Sequence, residues 1–267
     1  MQKEIKKIIV VKIGGSTLGN HDTTLEDLVE LQKQGKSLVV IHGGAKVTSE
    51  WLARLGIPTS FVDGLRVTDA ETLKVVAAAL GGLVNKELVV AIQALGGKAV
   101  GLSGCDGNLL WASVKSPELG YVGEIVAVDP TPLKLLLNAG YMPVVAPISF
   151  GSVEDRVMLL NVNGDTAAGE IAAALAAEKL IFLTDVDGIH DSSGQVISRL
   201  NLAEASDMLA SGVASGGMIP KVEASLRALT TTKVVRIIDG RASHTLLQDI
   251  AGQARQIKSR GTTIVSE

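Results

Sequence analysis

Apolar residues come along the chain in short blocks rich in Val and Ile: IIVVKI, SLVVIHG, KAVGLSG, MPVVAPI, LIFLTDV and KVVRIID. Each block ends in glycine, proline or a polar residue, which is the pattern of strands covered on both faces in a parallel sheet. Helical patterns lie between them. Residues 23–34 (TTLEDLVELQKQ) and 129–138 (DPTPLKLLLN) have cap-like starts, while LNAG and LASG place a glycine where a helix would stop. This alternation predicts an α/β fold. One segment breaks it: LWASVKSPELGYVGEIVAVDP alternates around an internal turn and predicts a β-hairpin near one edge of the sheet. A soft boundary is expected near residue 177, after the alanine-rich GDTAAGEIAAALAAE, dividing the chain into lobes 1–176 and 177–267.

Composition narrows the class. With 267 residues, 46% of them hydrophobic and 20% charged, the chain can bury one large core or two closely joined lobes. A formal charge of -3 argues against a nucleic-acid partner, since such binders carry a basic excess or stripe. The single cysteine, Cys105, has no internal partner, and MQKEIKKIIVVKIGG is too short in apolar residues for a signal or membrane span. The expectation is a cytoplasmic enzyme without a membrane partner.

Two strand ends carry paired glycines. VVKIGGSTLG and VVIHGGAKV each run from an apolar strand into a tight turn, the second directly into a helical pattern. Unpaired amides and the positive end of a helix dipole favour anions there, so amides near Gly15 and Gly44 can bracket a phosphoryl group. Taken singly, each pair also fits an ordinary strand-to-helix turn. Neither GxxxxGK[ST] nor GxGxxG occurs, which removes a P-loop and argues against a dinucleotide-dependent dehydrogenase. Arg66 in DGLRVTDAETL is shaped to grip a carboxylate by two parallel bonds. Asn161, Asn163 and Asp165 in LLNVNGDTAAGE face one pocket if that stretch stays extended, and Lys221 falls in the first turns of a helix in SGGMIPKVEASL. Their plainer readings are a surface ion pair, a helix cap and a solvated charge. His42 reads as a packing or hydrogen-bonding residue, and Cys105 as a small, partly buried one.

Together these residues closely resemble the amino acid kinase family, and within it the branch that phosphorylates N-acetylglutamate. The resemblance runs in order through KIGGS, HGGA, GLRVTDAETL, GLVNKEL, GKAVGLSG, LGYVGEI, GYMPVVAPI, LNVNGDTAAGEIA, LTDVDG, SGGMIPKVEA and IIDGR. It implies a three-layer αβα sandwich with a mainly parallel central sheet, and a kinase taking N-acetyl-L-glutamate and ATP with Mg²⁺. Lys12 and Lys221 are then implied to stabilise the transferring phosphoryl group, with Asp165 positioning both. Gly15 and Gly44 are implied amide donors, and Gly43, Gly44, Arg66 and Asn161 substrate contacts. The implied nucleotide site comprises Asp185, Val186, Asp187 and Gly188 with Ser215, Gly216, Gly217 and Met218. Departures from the usual family pattern are Ala45 and Lys46 after the glycine pair, Asp187 in the nucleotide turn, and Gly164 between Asn163 and Asp165.

The chemistry is consistent with that assignment. A γ-carboxylate titrates near ~4.3, so at neutral pH it attacks phosphorus without a general base. The reaction instead needs neutralisation of converging negative charge by lysines, Mg²⁺ and amide dipoles. A carrier-linked aminoadipate kinase of the same family would call for a basic patch at the substrate mouth, which the sequence does not display. A non-catalytic nucleotide sensor would not need Lys12, Asp165 and Lys221 together. Arginine-inhibited relatives carry an additional helix before the first strand; MQKEIKK is short for one, so a homodimer formed through the substrate lobe, with little arginine response, is the expectation.

Overall fold

The computed structural model describes residues 7–14, 23–212, 214, 216–251 and 261–267. In chain order its strands are β1 (Ile8–Ile13), β2 (Ser37–His42), β3 (Phe61–Val62), β4 (Leu65–Arg66), β5 (Ala99–Ser103), β6 (Leu110–Val114), β7 (Val122–Val128), β8 (Met142–Ala146), β9 (Ile148–Val153), β10 (Arg156–Val162), β11 (Lys179–Thr184), β12 (Arg199–Asn201), β13 (Val234–Asp239) and β14 (Thr262–Val265). The helices are α1 (Thr24–Lys33), α2 (Ala45–Arg54), α3 (Ala70–Ala77), α4 (Asn85–Ala94), α5 (Thr131–Asn138), α6 (Gly164–Ala174), α7 (Leu202–Ala210), α8 (Met218–Ala228) and α9 (Thr245–Ile250). A π-helical stretch, Ala78–Val84, joins α3 to α4.

All six apolar blocks of the sequence are strands of one eight-stranded sheet, in the order β12-β14-β13-β11-β1-β2-β8-β5. Its ladders are parallel except β13 with β14. Successive side chains of a strand leave opposite faces, and both faces are covered. Val10, Val39, Ile41 and Phe182 pack with Ile171, Ala172 and Val222 of α6 and α8, while Ile9, Val11, Val40 and Ile181 pack with Leu28, Leu31 and Ile92 of α1 and α4. Each fully buried side chain of this size contributes ~1.5–3 kcal/mol, so the three layers are held by the same residues that made the strands recognisable.

The predicted hairpin forms, as β6 against β7, but it does not lie on an edge of the main sheet. It pairs instead with a second hairpin, β9–β10, into a closed four-strand ring, with β6 beside β9 and β7 beside β10. Closure leaves neither hairpin with an unpaired edge. Trp111 and Phe150 seal one seam with rings 4.8 Å apart, edge to face. The turn of the second hairpin is Glu154–Asp155, both with positive φ (46° and 62°), the geometry of a type I′ turn without its usual Asn-Gly signature.

Strand order positions the site. From β1 the chain fills β2, β5 and β8 on one side of the sheet, then returns to β11, β12, β13 and β14 on the other. A crevice opens beyond the carboxyl ends of strands at such a reversal, and Lys12 is the penultimate residue of β1. The helical run Ala70–Ala94 is long and apolar enough to cross a membrane by length and composition. In the fold it packs inward, Val76 and Leu80 against Ala146 and Ile148, and Leu88 and Ile92 in the core beneath α1.

Candidate active site

Lys12 shares the α6 face of β1 with Ile8 and Val10, by the two-residue period of the strand. Asp165 sits in the first turn of α6 and Lys221 in the second turn of α8. The two helices pack closely because Gly169 faces Ala224: a Cβ at Gly169 would lie 2.6 Å from the Ala224 carbonyl oxygen. Lys12 Nζ is 2.7 Å from Asp165 Oδ1, and Lys221 Nζ is 3.0 Å from Asp165 Oδ2. Lys221 Nζ also donates to the Gly217 carbonyl at 3.1 Å. Burial alone would raise the Asp165 carboxyl, but the ammonium groups of Lys12 and Lys221 outweigh it and hold it below the ordinary carboxylate range. One carboxylate therefore fixes two cations that would otherwise repel.

The stretch from Asn161 to Asp165 is not extended throughout. Strand β10 ends at Val162, and the Asn163 side chain caps α6, accepting from Asp165 N at 2.8 Å and Thr166 N at 3.1 Å. The cap reading is correct for Asn163, and Asn161, Asn163 and Asp165 all line the same cavity. The reason is local: once Asn163 satisfies two first-turn amides, the helix can begin at Gly164.

That cavity, of about 200 Å³, is lined by Lys12, Gly43, Gly44, Arg66, Asn161 and Asp165. Arg66 is on the short strand β4. Its Nη2 donates to Ser49 Oγ at 2.7 Å and to the Ala45 carbonyl at 3.2 Å, and its guanidinium lies 4.8 Å from the centre of the Phe61 ring. Its Nη1 is buried without a hydrogen-bond partner, as is Thr48 Oγ1. Desolvation lowers the Arg66 pKa from its ordinary value, so an anionic ligand would relieve an existing cost. The Asn161 amide donates to Thr68 Oγ1 at 3.1 Å, and Thr68 Oγ1 donates to the Arg66 carbonyl at 2.8 Å, so strand β10 braces β4.

Gly44 caps α2, and a Cβ there would overlap the Leu80 side chain of the π-helical stretch, which would have to turn away to admit it. The Gly43 amide is already committed, donating to Ile13 O at 3.0 Å. Gly43 therefore lines the cavity without offering its N–H. Gly15 and Ser215 lie outside the described residues.

A second cavity, of about 390 Å³, opens at the end of β11 and is lined by Asp185, Val186, Gly188, Gly217, Met218 and Lys221, together with His190. Asp187 is turned to His190, Oδ1 to Nε2 2.7 Å, and is not among the lining residues. Gly216, at φ 52°, precedes Gly217 in the loop leading into α8. Lys221 stands between the two cavities through its bond to Asp165. The sequence motifs did not single out Phe61, Leu80, Val122 or Pro147, which also line the first cavity. Apolar residues of that kind carry no pattern beyond the core's own.

The sequence profile of the amino acid kinase family matches residues 7–239. An acetylglutamate kinase of Dehalococcoides mccartyi is 44% identical over 253 residues, covering 94% of this chain and 93% of the relative. One from Cereibacter sphaeroides is 45% identical over 254 residues, covering 94% and 86%. Among solved structures, the N-acetylglutamate synthase of Neisseria gonorrhoeae, in complex with coenzyme A and N-acetyl-glutamate, superposes with a TM-score of 0.81 at 26% identity, covering 98% of this chain and 60% of that one. With the profile spanning most of its length and a paired-lysine site at the strand reversal, the chain belongs to the amino acid kinase family.

Proposed function

We propose that this chain is an N-acetylglutamate kinase, transferring the γ-phosphoryl group of ATP to the γ-carboxylate of N-acetyl-L-glutamate in arginine biosynthesis. The observation that carries the proposal is the Lys12–Asp165–Lys221 array between two cavities, one of them holding an arginine with an unpartnered Nη1. The named relatives, at 44–45% identity over 94% of the chain, support the choice of substrate.

In this reading a carboxylate oxygen of the substrate forms a bond to the γ-phosphorus while the bond to the β-bridging oxygen breaks, its electron pair leaving with ADP. Lys12 and Lys221 neutralise charge on the transferring group, and the Gly44 amide donates to it, with Gly15 proposed as a second donor. Arg66 holds the α-carboxylate with its unused Nη1, and Asn161 orients the acetamido end. The nucleotide takes the second cavity, against Asp185, Val186, Gly188, Gly217 and Met218, with Asp187 and Gly216 in the flanking turns and Ser215 proposed as a further contact.

Among the described residues no group of three or more His, Cys, Asp or Glu side chains is placed to hold a metal, and both Asp165 oxygens face lysines. That donor set fits Mg²⁺ carried on the phosphate oxygens of the nucleotide rather than in a protein cage, adding positive charge to the transferring group.

The division at residues 176 and 177 belongs to the same proposal, with substrate held by the first lobe and nucleotide by the second. Assembly as a cytoplasmic homodimer through the substrate lobe is part of the same proposal. Light scattering checks it: a dimer is expected, and a monomer or a hexamer contradicts it. The reaction is tested by trapping acyl phosphate with hydroxylamine in the presence of ATP, Mg²⁺ and N-acetylglutamate. Hydroxamate is the expected product, and ATP hydrolysis without hydroxamate contradicts the assignment.

A further inference from the structure

His42 ends β2 with its ring fully buried, at 0% exposure. Its Nδ1 lies 2.8 Å from the carbonyl oxygen of Gly43. A carbonyl only accepts, so the proton of the neutral ring is on Nδ1 and Nε2 is left as an acceptor. The donor that Nε2 meets is Asn85 Nδ2, at 3.1 Å. Asn85 is buried where the π-helical stretch passes into α4. Its amide also donates to the Val144 carbonyl at 2.9 Å, and Lys86 Nζ lies 3.0 Å from its Oδ1. Turning the amide over would set its oxygen against the Val144 carbonyl and its NH₂ against the Lys86 ammonium, so the partners fix its orientation.

The next peptide carries the consequence. Gly43 C=O and Gly44 N–H belong to one trans peptide plane and point in opposite directions, so holding the carbonyl aims the amide. The preceding peptide is held too, by Gly43 N–H on Ile13 O at 3.0 Å. We propose that His42 and Asn85 are positioning residues for phosphoryl transfer: Asn85 fixes the tautomer of His42, and the His42 ring sets the Gly43–Gly44 peptide so that the Gly44 amide faces the transferring group. This rests on the kinase reading above. Burial, with Lys12 and Lys86 nearby, lowers the His42 pKa to about 4, which keeps Nε2 an acceptor at neutral pH.

The test combines two variants with a spectrum of the unaltered protein. His42→Leu is expected to lower kcat about 10- to 100-fold, the scale of a small misplacement at the reacting centre, with each KM changed less than about threefold. His42→Asn, whose amide can donate from the Nδ1 position, is expected to stay within about tenfold of wild type. Nitrogen spectra of histidine-labelled wild type are expected to show one ring with Nδ1 protonated and no titration between about pH 5.5 and 8. Full kcat in His42→Leu overturns the proposal, and so does a loss confined to KM. If His42→Leu does not fold, His42→Asn and the spectrum decide: a loss of about 100-fold or more in a folded His42→Asn, or a buried ring protonated on Nε2, overturns it. Absence of acyl phosphate with the wild type would instead remove the kinase reading, a separate result.

Discussion

Lys12, on the first strand of the chain, and Lys221, on the eighth helix, meet opposite oxygens of the same carboxylate, Asp165, at 2.7 and 3.0 Å. Two ammonium groups held this close repel each other unless an anion lies between them, so Asp165 is what lets the fold bring both cations to one place.

Removing the negative charge should loosen both cations at once. Asp165→Asn is expected to lower kcat about 10²- to 10³-fold, comparable to loss of one preorganised charge-stabilising donor. Steady-state kinetics beside a circular dichroism melt checks it; a folded variant with near-normal kcat would show that the lysines need no tether.

Lys12→Ala and Lys221→Ala should each reduce kcat by about 10²–10³ while changing KM less, because each charge matters most when the transfer is under way. A raised KM for ATP with intact kcat would reassign that lysine to nucleotide binding.

Arg66→Lys keeps the charge but loses the planar fork whose Nη1 has no partner in this structure. A higher KM for N-acetylglutamate is expected, with ATP binding measured by calorimetry in the absence of substrate unchanged. Equal damage to both ligands would place Arg66 outside the substrate site.

The pKa of His42, lowered to about 4, makes stability pH-dependent with a definite sign. The unfolded ring takes up its proton near ~6.5 while the folded ring remains neutral, so stability falls as pH drops from about 6.5 towards 4, by up to roughly 3 kcal/mol. Urea unfolding of wild type and His42→Leu across that window should show the slope in wild type and its loss in the variant. Parallel slopes would mean that other groups dominate acid unfolding.

Much of this was legible in the chain. Strands buried on both faces leave uninterrupted Val and Ile blocks, which is why all six blocks of the central sheet could be read, and Lys12, Asp165 and Lys221 stood in motifs beside strand ends and helix starts. The four-strand ring was not legible, because Glu154–Asp155 is an unusual pair for its turn and nothing local states that two hairpins will close on each other. Asn85 went unread because its role depends on Leu102, Val144 and His42, 17, 59 and 43 positions away. Strand β14 is a short TTIV on the far side of β13, and its antiparallel pairing is a tertiary choice. The commitment of the Gly43 amide to Ile13 likewise follows from the β1–β2 register alone.

The central claim is that the paired lysines serve phosphoryl transfer to N-acetylglutamate. Its most direct measurement is the hydroxylamine assay with ATP and Mg²⁺, offering N-acetylglutamate, glutamate, aspartate and carbamate in parallel reactions. N-acetylglutamate should give hydroxamate at the highest rate, and Lys12→Ala should abolish most of it. Hydroxamate from aspartate with none from N-acetylglutamate would contradict the substrate, and an undiminished signal in Lys12→Ala would contradict the role of the array.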